Sequence, residues 1–127
     1  MPNTASALDR ASVESVALTK ATLRAAGKLG LKNRTLATVI GVSEPTVSRM
    51  SRGRYFLQPD EKPFELSALF VRLYRSLDAI TGGDEKVARS WINNENTALG
   101  DTPINLVQKV SGLIHVIQYL DSRRARI

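Results

Sequence analysis

The stretch GVSEPTVSRMSRGR, residues 41–54, constrains the fold more than any other part of the chain. Ser43 is a natural helix N-cap, Glu44 suits the positive end of a helix, and Pro45 is tolerated only in a first turn. A helix is therefore predicted to start after Ser43 and to stop at Gly53. Just upstream, NRTLATVI (residues 33–40) predicts a second short helix, with Gly41-Val42-Ser43 as a tight turn between the two. Ala37 supplies a small side chain where two helices can cross. Gly41, four residues later, supplies a residue tolerant of positive φ, and Val47, six further on, falls inside. Leu36, Ile40, Val42 and Met50 fall on the same inward side.

With Val47 and Met50 inward, Glu44, Pro45, Thr46, Ser48 and Arg49 face out. The stretch resembles the Xre/Cro-type repressors over about residues 20–54, which implies a helix-turn-helix DNA reader. Under that resemblance the second helix lies in the major groove. Arg49 pairs with guanine or with a phosphate, and Glu44 accepts from cytosine or merely serves the helix dipole. Ser43, Thr46 and Ser48 are candidate polar contacts, although Ser43 is first of all a cap. Lys32, Arg34, Arg52 and Arg54 flank the reader and suit backbone phosphates. Charge agrees: Arg24 to Arg54 holds seven basic residues and one acid, Glu44, and so carries the whole formal net charge of +6. A basic solvated face, or a helical hairpin that binds no DNA, is the alternative. Tyr55 and Phe56 are expected in the core. One reader helix grips a short half-site, so a homodimer on a pseudo-palindrome is expected.

The rest of the chain reads as helix. Ala11 to Leu29 are good helix formers followed by Gly30, after a small, polar stretch at residues 1 to about 9 that is expected to fray. Phe64 to Ile80 predicts a long helix and Asp84 to Asn93 a short one. Pro103 opens a last helix running to about Leu120. There is no alternating strand pattern, so the fold class is all-α, with a helix-turn-helix DNA-binding region expected at residues 1–60 and a second helical region, expected to carry dimerisation, at 61–127. Apolar residues on the two long helices cover wide arcs. They predict either a partner surface or tight packing of these helices on each other. The most apolar run is broken by Glu65, Arg72, Arg75 and Asp78, and no signal segment is evident, so a cytoplasmic protein without membrane contact is expected.

Residues 88–120 carry a second pattern: Trp91-Ile92, Asn96, Leu99-Gly100, Pro103, Gly112, Val116 and Leu120. It resembles the C-terminal toxin-binding domain of the Xre/MbcA/ParS antitoxins, with Glu95 where that pattern usually has Pro. The residues alone predict a core Trp91, a turn anchored by Leu99 at Gly100, and a helix start at Pro103. Gly112 predicts a close approach by another backbone or a bulky side chain. The resemblance implies an antitoxin that holds a RES-type, NAD-degrading toxin inactive and represses its own operon. Trp91, Leu99, Gly100, Pro103 and the tail residues Arg123, Arg124, Arg126 and Ile127 are then candidate toxin contacts. A stand-alone dimeric regulator without a toxin is the competing reading.

Enzyme chemistry finds little to work with. Cysteine is absent and His115 is the only histidine, set in an apolar helix run where a structural role is expected. No metal site and no cofactor is expected, because Asp84, Glu85 and Asp101 read as helix-capping acids.

Overall fold

The computed structural model describes residues 11–125, so the first polar stretch and the tail residues Arg126 and Ile127 lie outside it. Among the described residues there are seven helices and no strand. They are α1 (Val13–Leu29), α2 (Asn33–Ile40), α3 (Glu44–Ser51), α4 (Lys62–Ile80), α5 (Glu85–Asn93), α6 (Pro103–Leu106) and α7 (Val110–Arg124). No described helix is long and apolar enough to cross a membrane.

Local chemistry sets most boundaries. Ser12 caps α1 by accepting from the Ser15 N–H at 3.0 Å. Gly30 closes it at φ 71°, and the Leu31 N–H returns to the Ala26 carbonyl at 2.9 Å. Asp84 caps α5 through the N–H groups of Lys86 and Val87, at 3.0 and 3.2 Å. Asp101 accepts from the Thr102 N–H just ahead of α6 but caps none of that helix's N–H groups, so of these two acids only Asp84 is a helix cap.

The middle of the molecule is α4, which packs on α1, α2 and α7 at once. Its Phe70, Leu73 and Leu77 are fully buried and join Leu29, Ile40, Val47, Leu113 and Leu120 in one continuous core. Each such side chain contributes about 1.5–3 kcal/mol of apolar burial. The wide apolar arcs of α4 and α7 are therefore mostly satisfied by each other and by α1 and α2. Among the described residues, only Val13, Val87 and Val110 remain as exposed large hydrophobics. Polar contacts also tie α7 to α4: Asp121 of α7 accepts from Arg72 and, at 3.0 Å, from the Ser76 hydroxyl of α4. Deep in the other interface, Thr19 accepts from the Leu57 N–H at 2.9 Å and orders the connection into α4.

Three expectations are corrected. The helix predicted from Pro103 to about Leu120 is two helices, broken at residues 107–109, and the second runs on to Arg124. Trp91 is only partly buried, because it stands on the outer edge of α5. His115 is exposed and not structural, because it lies on the face of α7 opposite Leu113, Val116 and Ile117.

The break explains Gly112. A Cβ there would lie 1.9 Å from the Leu106 carbonyl oxygen, because the end of α6 folds back against the first turn of α7. Gly27, inside α1, has nothing within 4 Å of the same added atom. The two glycines should respond oppositely to alanine. Gly27→Ala should stabilise by about 0.5–1 kcal/mol. Gly112→Ala should destabilise by about 1–3 kcal/mol, since a packed backbone must move. Denaturant unfolding of both variants checks the sign difference.

Candidate functional site

The outer face of α3 is built by its own hydroxyls. Ser43 accepts from the Thr46 N–H at 3.2 Å, and its Oγ lies 2.9 Å from Thr46 Oγ1. Thr46 Oγ1 in turn accepts from the Arg49 guanidinium at 3.0 Å, and Ser48 accepts from Arg52 at 3.0 Å. Each arginine is thus laid along the helix surface by a hydroxyl one turn earlier, which narrows its rotamer range before any contact is made. Val47 and Met50 are buried beneath, as the pattern predicts. Glu44, Arg49, Arg52 and Arg54 are exposed, and Thr46 and Ser48 are half-buried.

The platform under this face is rigid for steric reasons. Gly41 sits at φ 76°, which strains any residue with a side chain, and an added Cβ would come 3.3 Å from a Leu66 methyl of α4, a tight contact. Lys32 is the N-cap residue of α2 and Arg34 lies in its first turn, both exposed. Phe56 is buried and Tyr55 half-buried. Burial pushes the Tyr55 phenol up, Glu61 pushes it further, and Arg49 opposes. The phenol stays neutral at neutral pH and adds no negative charge beside the reader.

A second surface lies on the C-terminal helices. Trp91 of α5 stacks on Tyr119 of α7, with centroids 6.3 Å apart and planes 19° from parallel. Arg123 lies over the other ring, 5.9 Å from the Tyr119 centroid. Val87, 49% exposed, borders Trp91 across a shallow hollow of about 360 Å³ that Lys86 and Ser90 also line. Leu99 and Pro103 are buried, so any part they play in recognition passes through the turn they anchor. That turn is held by Asn96, which accepts from the N–H groups of Leu99 and Gly100, with Gly100 at φ 81°. The two described tail arginines diverge: Arg123 faces Tyr119, whereas Arg124 lines a cleft between α4 and α7 with Arg72, Arg75 and Asp121.

Sequence reasoning missed Tyr119, Val87 and Arg89. No local pattern links positions 91 and 119, which meet only through helix packing. Arg89 has the most direct structural role. It donates to the Lys28 carbonyl at 2.8 Å and the Gly27 carbonyl at 3.2 Å, closing the C-terminal end of α1 from α5. Its pair with Glu85, at 3.7 Å and half exposed, adds little. Arg89→Ala should cost about 1 kcal/mol or slightly more, and Glu85→Ala under about 0.5 kcal/mol. Thermal unfolding of the two variants side by side checks that ranking.

Residues 7–72 match the antitoxin Xre-like helix-turn-helix domain. Residues 76–126 match the antitoxin Xre/MbcA/ParS C-terminal toxin-binding domain. The two matches meet inside α4, the helix that both halves share. No curated protein sequence matches the chain at a significant level. The reader face on α3 lies within the first match and the Trp91–Tyr119 face within the second, and the first alone covers more than half of the chain: the chain belongs to the Xre-type antitoxins.

Proposed function

We propose that this antitoxin neutralises a RES-type toxin that degrades NAD and, as a homodimer, represses its own operon by binding operator DNA. The observation that carries the reading is the co-occurrence, in one short chain, of a helix-turn-helix match and a toxin-binding match on separate exposed faces. DNA reading is assigned to residues 1–60 and toxin contact to residues 61–127.

In the DNA complex, Arg49 leaves Thr46 to pair with a guanine edge or a phosphate, and Thr46 and Ser48 are freed for polar contacts. Glu44 faces a cytosine amine or remains a helix-dipole residue. Lys32, Arg34, Arg52 and Arg54, together with the Ser43 cap, meet backbone phosphates. In the toxin complex, Trp91, Tyr119 and Arg123 form the centre of the contact. Aromatic and arginine side chains of this kind concentrate binding energy when they are desolvated. Leu99, Gly100 and Pro103 hold the neighbouring turn. Arg124, with Arg126 and Ile127 beyond it, contributes at the margin.

The first test is a pull-down of the tagged chain from its host, with co-purifying proteins identified by mass. A stoichiometric partner whose expression alone depletes cellular NAD supports the reading. A chain recovered alone, or only with DNA, favours a stand-alone regulator. Two variants then separate the faces. Arg49→Ala should weaken operator binding about tenfold or more and leave toxin binding unchanged. Val87→Glu should do the reverse, weakening toxin binding about tenfold. Loss of both activities in either variant would mean a folding defect and not a contact. Replacing Arg34 with Ala should lower the salt slope of operator binding by about 0.9, the signature of one phosphate contact.

A further inference from the structure

A cleft of about 480 Å³ runs between α4 and α7. Arg72, Arg75 and Ser76 line it from α4, Asp121 and Arg124 from α7, and Ala68 and Ala125 make up its apolar part. Its one carboxylate is fully committed. Asp121 accepts from Arg72 on one oxygen and from the buried Ser76 hydroxyl, at 3.0 Å, on the other. Arg72 and Asp121 therefore offset each other. Arg75 and Arg124 remain, one from each helix, both exposed. Neither takes part in an ion pair among the described residues.

The whole lining selects the ligand by charge. Three arginines and one aspartate give the cleft a net charge of +2. Two uncompensated guanidinium groups on one cleft repel each other, and an anion held between them relieves that repulsion. A single carboxylate would neutralise half of the charge. A phosphomonoester, at about −1.5 to −2 near neutral pH, neutralises nearly all of it. The residue type agrees, because the planar guanidinium fork matches the oxygens of phosphate and binds them in pairs. The volume lies within the about 300–1,000 Å³ of small-molecule sites, which leaves room beside Ala68 and Ala125 for an organic group. We propose that the α4–α7 cleft binds a small phosphate-bearing molecule, with the phosphate held between Arg75 and Arg124 and with Arg72 kept in place by Asp121 and Ser76.

The site is separate from the centres of both other faces. None of its lining residues comes from α2, α3 or the hollow beside Trp91, and only Arg124 belongs to the margin of the assigned toxin contact. The inference goes beyond the DNA and toxin readings and stands whether or not they hold, because it rests on the charge of the cleft alone.

Titration calorimetry of the full chain with inorganic phosphate, at fixed ionic strength and with acetate as the comparison, tests this. Phosphate should bind saturably, one per chain, and more tightly than acetate. Arg75→Gln and Arg124→Gln should each weaken it at least about tenfold. Lys109→Gln, which removes an exposed charge outside the cleft, should leave it unchanged. Circular dichroism checks that the variants remain folded. Amide chemical-shift changes during the titration should centre on residues 72–76 and 121–125. Shifts centred on α3 would place the anion on the DNA face and overturn the site. An absence of saturable binding would overturn it too, as would an equal loss from Lys109→Gln. Acetate binding as tight as phosphate would overturn the assignment of the ligand. A cleft that ignores phosphate, in a chain whose Arg75→Gln variant loses a protein partner, would be a surface for an acidic segment of that partner instead.

Discussion

The structure depends on one helix being apolar on more than one side. A surface helix needs a single apolar stripe, and α4 has far more than that. Phe70, Leu73 and Leu77 are buried together with Val71, Ser67 and Ser76, and α1, α2 and α7 all pack on the same helix. The helix-turn-helix pair and the C-terminal helices are therefore two sides of one core. Cutting the chain ahead of α4 would leave α1–α3 without the surface on which Leu29 and Ile40 are buried. Removing α7 would uncover the other flank. Two recognition tasks are carried by one folding unit because neither half buries enough apolar area alone.

That shared core also dictates what is left for partners. Sequence alone shows a surplus of apolar residues on α4 and α7, and the structure consumes nearly all of it internally. What remains outside is sparse: Val13 with the groove beside it, and Val87 with the half-exposed Trp91. Small apolar patches bind well only when a few rigid side chains dominate. The Trp91–Tyr119–Arg123 stack has that character, since each ring is held by its neighbour before a partner arrives. On α3 the same preparation is polar, with Thr46 and Ser48 holding Arg49 and Arg52 along the helix.

What could be read from the sequence was what is decided within a few residues. The positive φ at Gly30, Gly41 and Gly100, the Ser43 cap and the inward Val47 all follow from steric or hydrogen-bonding rules that act locally. The α3 face was legible for the same reason, because once Val47 and Met50 are inward the outward residues are determined. The second face was not. Trp91 meets Tyr119 across 28 positions of chain, and Arg89 meets the end of α1 across 61. Neither pairing leaves a trace in periodicity. The break at residues 107–109 was also hidden, since Val107, Gln108 and Lys109 include no glycine or proline.

Gly112 shows how a tertiary cause can mark the sequence and still mislead. A glycine inside a predicted helix signalled a close approach, and the approach is there, at the Leu106 carbonyl. But the approaching backbone belongs to the same segment that the apolar pattern of Ile104, Leu106, Val107 and Val110 had joined into one helix. The periodicity favoured continuity, and the glycine favoured a fold-back. The fold-back prevails because it puts Val107, Leu113 and Val116 into the core together, with each nearly inaccessible to water. At about 1.5–3 kcal/mol per buried side chain, that burial outweighs the few helical hydrogen bonds that one interrupted turn gives up.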